Sequence, residues 1–298
     1  MSDFSISLGP SLTGTLVTSR FDETVAAYVD HLNMIVAESI TISGAQAALW
    51  QTPALIGQRI ATLLSPSNIL WIRVVEDKNA VAAKPFRELG WMALEVVVAD
   101  VDSLAVDLEN SAFETFRPPA NLDVSDAIRA MQVIGPAGEV LYLTQIGAEV
   151  PPFVLPVATC RVDHLFIPVM CCHDRETATA FYESFAGAKA YRFDTKITSL
   201  NKAYGYDLDR RHPVSTVQLA GATMIEIDQI DEAQSRSVAT GSLPSGIAMI
   251  SYEVDGIDSL AVDWVAPPQV LPGVLYKNRK AGLVRCPGGE LIELISRC

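Results

Sequence analysis

Apolar and polar positions along the chain alternate between strand-like and helix-like runs, and the order of the runs recurs. "GTLVTS" and "NILWIRVVE" read as strands, with "FDETVAAYVDHL" between them as a helix that Asp22 would cap. The order restarts with the strand "WMALEVVVA", a helix in "DVDSLAVDLENS" and the strand "EVLYLTQI". It restarts again with "DHLFIPVM", the helix "DRETATAFYESFAG" and "TMIEIDQI". A fourth round runs through "IAMISYEVD", a helix in "IDSLAVDWV" and "LIELIS". Each round is a strand, a helix and two or three strands. The predicted class is therefore α+β, with four βαβββ units arranged as two pairs. Their mixed sheets would carry helices on one face and a concave surface on the other.

The repetition is also literal. "VDSLAVD" at 101–107 returns as "IDSLAVD" at 257–263, and "GPAGEVLYL" at 135–143 returns as "CPGGELIEL" at 286–294. "ETVAAYVDHL" at 23–32 returns more loosely as "ETATAFYESF" at 176–185. Three matches in the same order indicate a duplicated unit of about 150 residues. The joint is "GAEVPPFVLPVATC", where Pro151, Pro152 and Pro156 disfavour helix and central strand. Two domains are expected, 1–154 and 155–298.

Composition narrows the function. With 298 residues, 49% hydrophobic and 19% charged, the chain has a substantial core. A formal net charge of −13 without a basic tract argues against nucleic acid and anionic membrane surfaces as partners. No apolar run approaches a membrane span, and no secretory signal is visible, so a cytoplasmic location is expected. The odd count of five cysteines fits reduced thiols. There is no GxGxxG or GxxxxGK[ST] pattern, which disfavours dinucleotide and ATP chemistry.

Candidate chemistry lies in acids placed inside apolar strands. In "LIELIS", Glu293 alternates with Ile292 and Leu294; in "TMIEIDQI", Ile225 and Ile227 take one face and Met224, Glu226 and Asp228 the other. A carboxylate among apolar neighbours is costly unless its charge is compensated. Two on one concave face would repel and be raised in pKa unless a cation lies between them. The competing reading is that each pairs with one of the 22 Lys and Arg residues.

The turn-then-strand ending "CPGGELIELI", the opening strand "VDHLFIPV" and the junction "VDGIDSL" resemble the vicinal oxygen chelate superfamily, which includes glyoxalase I, extradiol dioxygenases and bleomycin-resistance proteins. The resemblance covers nearly the whole chain. It implies a divalent metal, Mn²⁺, Fe²⁺ or Zn²⁺, in a concave sheet. Carried over by position, it implies His164, Glu226 and Glu293 as ligands, with Met249 where many relatives have histidine. The first half carries Thr13, Met92 and Tyr142 at the corresponding places, so that half is expected to be metal-free and structural. Glu226 and His212 are candidates to move a proton. Met249, Ser251, Tyr204, Tyr206, Arg210, Tyr276 and Arg279 are candidate substrate contacts. His31 and His173 read as a solvated helix residue and a strand-end residue.

The function expected from the resemblance is a metal-dependent lyase or isomerase. It would act on a small, oxygenated, aromatic molecule through a metal-stabilised enolate-type intermediate. The alternatives are an Fe(II) extradiol ring-cleavage dioxygenase and a non-catalytic small-molecule binding protein. A small-molecule substrate is the expected partner, and a second copy of the chain is a candidate one, since many members of that superfamily dimerise.

Overall fold

A computed structural model describes residues 7–123 and 125–297. The four units are all present. The first comprises β1 (Leu8–Thr18), α1 (Phe21–Leu32), β2 (Ile35–Thr41), α2 (Gly44–Trp50), β3 (Arg59–Leu64) and β4 (Leu70–Glu76). The second comprises β5 (Gly90–Val98), α3 (Val101–Leu108), β6 (Glu114–Leu122), β7 (Ser125–Ile134) and β8 (Val140–Ile146). The third comprises β9 (Val162–Cys172), α4 (Arg175–Ala186), β10 (Ala190–Lys196), α5 (Thr198–Tyr204), β11 (Arg211–Gln218) and β12 (Met224–Gln229). The fourth holds β13 (Gly246–Val254), a 3₁₀ turn (Ile257–Ser259), β14 (Trp264–Val270), β15 (Lys280–Arg285) and β16 (Leu291–Ser296).

They form two eight-stranded mixed sheets, each a concave domain, as the sequence pattern predicts. The pairing of units is what the repeat alone does not reveal. One sheet runs β14-β15-β16-β13-β1-β4-β3-β2 and joins the fourth unit to the first; the other runs β10-β11-β12-β9-β5-β8-β7-β6 and joins the third to the second. Residue 154 therefore marks the joint of the sequence repeat, while each sheet takes one unit from each half. At each seam the opening strands run antiparallel, β1 beside β13 and β5 beside β9.

The helix-bearing faces of both sheets share one core with α1, α3 and α4, around Leu16, Trp71, Leu94, Leu165, Ile250 and Tyr252. The sheets approach closely there: a Cβ added at Gly14 would lie 2.8 Å from the Leu94 side chain. Two repeated clasps tie the sheets together. Tyr28 Oη of α1 donates to Glu139 Oε1 at 2.9 Å, and Tyr182 Oη of α4 donates to Glu290 Oε1 at 2.8 Å. Each clasp joins a helix to the turn before the closing strand of the next unit, hence to the other sheet. Burial pushes the Glu139 carboxyl up to about 7 and raises that of Glu290.

Local chemistry explains the helices. Asp174 and Asp100 cap α4 and α3, accepting from the backbone N–H of Thr177 and Ser103 at 3.0 Å each. Asp22 does not cap α1: Arg20 occupies that position without a side-chain bond, and Asp22 lies in the first turn, paired with Arg59. The helix expected in "IDSLAVDWV" is also absent. From Asp107 to Pro118 the chain has eleven steps, but from the matching Asp263 to Pro267 only four. The shorter connection must be extended from Trp264 onward to reach β14, which leaves room for a single 3₁₀ turn.

Candidate active site

Each concave face is organised around four equivalent register positions on its inner strands. In the first sheet, Thr15 lies beside Arg73 and Ser251 beside Glu293. In the second, Val169 lies beside Glu226 and Glu95 beside Tyr142. The repeat thus places Arg73 where the other sheet has Glu226, and Glu293 where it has Tyr142. Identical scaffolds carry opposite chemistry.

The first face is closed on itself. The guanidinium of Arg73 and the carboxylate of Glu293, 1% and 0% exposed, form an ion pair at 3.1 Å. Glu293 also accepts from Trp50 Nε1 at 2.9 Å, Tyr276 Oη at 2.7 Å and Ser251 Oγ at 2.6 Å. Arg73 donates further to Thr15 Oγ1 at 2.8 Å and to Tyr276 Oη at 2.7 Å, with its guanidinium 4.7 Å from the Trp50 ring. Helix α2, which the sequence pattern did not signal, brings Leu49 and Trp50 onto this face, where they pack with Met249, Leu271 and Leu275. Glu293 is therefore a salt-bridge partner whose oxygens are already engaged, and Ser251 and Tyr276 belong to its hydrogen-bond shell. Met249 is core. Arg279 pairs with Glu253 and donates to the Leu275 carbonyl. Met249, Ser251, Tyr276 and Arg279, expected as substrate contacts, do not line the cavity of the second face.

The second face is open. A cavity of about 220 Å³ lies on it, lined by Glu95, Glu226, Gln132, Tyr142 and Thr216 and walled by apolar side chains including Phe166, Phe193 and Met224. Glu226 faces the cavity side as the strand alternation predicts, opposite Ile225 and Ile227 in the helix-side core. Burial raises its carboxyl to about 7. Burial, and then repulsion from Glu226, raise Glu95 to about 8, against the opposing hydrogen bond from Thr144 Oγ1 at 2.7 Å. Asp228, two positions further along β12, is buried with neither oxygen hydrogen-bonded. Burial, then Glu226 and Glu95, hold it well above the usual carboxylate range. No arginine or lysine among the described residues pairs with these three acids.

The remaining expected residues lie elsewhere. His164 sits at the start of β9 with its Nδ1 3.2 Å from Asp163, five positions before Val169, so about 16 Å along the strand from the row of Glu226. His164, Glu226 and Glu293 are thus not brought together, and no group of three His, Cys, Asp or Glu residues with metal-binding geometry occurs among the described residues. His212 is buried with Nε2 2.7 Å from Asn201 Oδ1 and does not line the cavity. Burial, then Arg210, lower its pKa. Tyr204, Tyr206 and Arg210 form a stack outside the cavity, with Arg210 3.9 Å from the Tyr206 ring. Glu95 was missed, although "MALEVVV" shows the same lone acid in an apolar strand that singled out Glu226 and Glu293. Arg73 in "LWIRVVE" is the corresponding lone base, and it identifies which acid is compensated.

The donor set does not fit the histidine-bearing metal centre that the resemblance implies. The four positions of the open face offer two carboxylates, a phenol and a valine, and the cavity has no imidazole. The 2-His-1-carboxylate frame of Fe(II) oxygen chemistry cannot be assembled from them.

No family model matches the chain, and no curated protein matches it. Solved structures do. Glyoxalase I from Zea mays superposes with a TM-score of 0.62 at 15% identity, over 96% of this chain and 92% of that one. A dioxygenase-like protein from Bacillus subtilis superposes with a TM-score of 0.61 at 12% identity, over 98% and 86%. At these identities the likeness is one of fold. Among the described residues no helix is long and apolar enough to cross a membrane.

Proposed function

We propose, for a chain with the fold of the vicinal oxygen chelate superfamily, that the open face of the second sheet is the active site of a proton-transferring isomerase or lyase. Its substrate would be a small, largely apolar carbonyl compound. The observation that supports this is the Glu95–Glu226 pair: one buried and one half-buried carboxyl, both raised in pKa, facing one cavity and without a cationic partner among the described residues. Titratable neighbours pushed apart in pKa divide into an acid and a base. Glu95, whose carboxyl is raised the more, would serve as the acid and Glu226 as the base.

Glu226 would take a proton from a carbon next to the substrate carbonyl. Glu95 would donate its proton to the carbonyl oxygen, giving a neutral enol. For an α-hydroxy carbonyl substrate, Glu226 returns its proton to the former carbonyl carbon while the adjacent hydroxyl gives its proton to Glu95, which completes an isomerisation. For a substrate with a leaving group β to the carbonyl, that group departs with its electron pair as the enol hydroxyl proton returns to Glu95, which completes an elimination. Thr144 holds Glu95 in place through its hydroxyl. Phe166, Phe193 and Met224 exclude water, and the aromatic walls suit a flat, ring-containing substrate. The volume, below that of a drug-sized ligand site, limits the substrate to a small molecule.

A second reading is favoured by the oxygen-only character of the pair. Glu95 and Glu226 would hold a hard cation such as Mg²⁺ or Mn²⁺, which would supply Lewis-acid polarisation of a substrate oxygen when bound. Exchange of the α-protons of acetophenone for deuterium in D₂O, followed by proton NMR, tests the first reading. Glu226→Gln should slow it by about 10²- to 10⁴-fold, the usual worth of a general base. The rate should rise through pH about 7 as Glu226 ionises and fall through about 8 as Glu95 loses its proton. Equal exchange by wild type and Glu226→Gln removes this reading; abolition of exchange by EDTA, with recovery on adding Mg²⁺ or Mn²⁺, favours the second.

A further inference from the structure

The strand register continues the site beyond the acid pair. Glu95 on β5 lies beside Tyr142 on β8, Tyr142 beside Gln132 on β7, and Gln132 beside Arg117 on β6. These four strands are consecutive in the sheet, so the side chains form one polar row across the concave face. At about 4.8 Å per strand the row is about 14 Å long. It ends at Arg117, which is half-buried and lines the same cavity.

Among the described residues, nothing engages the Arg117 guanidinium in a hydrogen bond or ion pair. The other cation of the lining, Lys196, is already neutralised, with Asp209 at 2.6 Å and Asp123 at 3.8 Å. The edge strand that carries Arg117 is held over the cavity from α5, where Lys202 Nζ donates to the Phe116 carbonyl at 2.7 Å. A chain of net charge −13 repels anions in general, so an anionic ligand needs a local cation to be held. Arg117 is the group positioned to supply it.

We infer that the substrate is a small carboxylic acid: its carboxylate is held by Arg117, an apolar or aromatic middle lies against the phenylalanine walls, and its reactive carbonyl end lies at Glu95 and Glu226. The inference rests on the acid pair being the reactive end, and it adds the chemistry of the opposite end. Arg117 is in this view a specificity-determining residue. Its planar fork of donors matches a carboxylate in a way that an amide does not exploit.

The test uses 4-acetylbenzoate, whose carboxylate, aromatic ring and methyl ketone with exchangeable α-protons lie in that order along one axis, against its primary amide. Binding is measured by calorimetry to the full-length protein. Wild type should bind the acid at least about tenfold more tightly than the amide, the factor that one charge-assisted hydrogen bond supplies. Arg117→Gln should erase that preference while leaving amide affinity unchanged, and Arg117→Lys should restore part of it. Glu226→Gln should keep the binding preference while losing deuterium exchange. Equal affinity of wild type for acid and amide, including no detectable binding of either, overturns the assignment of Arg117. Retained exchange in Glu226→Gln beside an intact acid preference overturns only the acid-pair reading.

Discussion

A buried charge is decided by what sits within hydrogen-bond reach of it, and the two concave faces show both outcomes. Glu293 has Arg73, Trp50, Tyr276 and Ser251 around it, so its ionised form is satisfied without solvent. Removing the base while keeping the acid should be severe: Arg73→Met is expected to cost about 3–5 kcal/mol in chemical denaturation, as for other buried pairs broken on one side. Replacing Glu293 as well, with leucine, should recover much of that loss. Glu95 and Glu226 have no such partner. Their folded-state pKa values, about 8 and about 7, lie above the ordinary value near 4.5. Between about 4.5 and about 8 the folded chain therefore holds more protons than the unfolded one, and stability falls as pH rises through that window. Glu139, also raised to about 7, adds to the same slope. The melting temperature should decline from about pH 5 to about pH 9, and Glu226→Gln should flatten the decline by stabilising the alkaline end. A wild-type melting temperature that rises over this range contradicts the assignment.

The same six residues, "DSLAVD", form part of an eight-residue α-helix at α3 and only a 3₁₀ turn with extended chain in the fourth unit. Local propensity is identical, so the difference comes from outside the segment. Asp100 caps α3, whereas Gly256 at the equivalent place has no side chain to offer, and the connection to the next strand is seven residues shorter. Asp100→Ala should cost about 1 kcal/mol, read as a lower denaturation midpoint with unchanged slope. Sequence made the strands legible because their alternation is set by the pleat, and it made α1, α3 and α4 legible as helix-like runs between them, although the one cap it suggested, Asp22, lies in the first turn of α1. It did not make α2 and α5 legible. Both are seven-residue helices whose stability comes from lying on a concave face, a tertiary fact.

At the scale of the whole molecule, the repeat of about 150 residues was readable, but the exchange of units between sheets was not. Antiparallel pairing of β1 with β13, or of β5 with β9, is a contact between residues far apart in the chain, and nothing local encodes it. That exchange is why Glu226 and Glu293, so alike in their strands, belong to different sites. It is also why Glu95, from the half expected to be inert, shares a cavity with Glu226. Residues 1–154 or 155–298 produced alone would each hold one unit of each sheet and leave the seam strands unpaired. Neither should be a folded monomer by circular dichroism and gel filtration, and mixing or co-expressing them should restore the native spectrum. A folded, monomeric half would contradict the exchanged pairing. Carboxyls raised toward neutrality inside one cavity, Glu95 and Glu226, are what set the open face apart from the closed one. Carbon-13 NMR of the labelled side-chain carboxyls against pH tests this directly, with Glu95→Gln and Glu226→Gln assigning the signals. Two carboxyl resonances with midpoints near 7 and 8 are predicted; midpoints close to 4.5 for both would rule out an acid–base pair at this site.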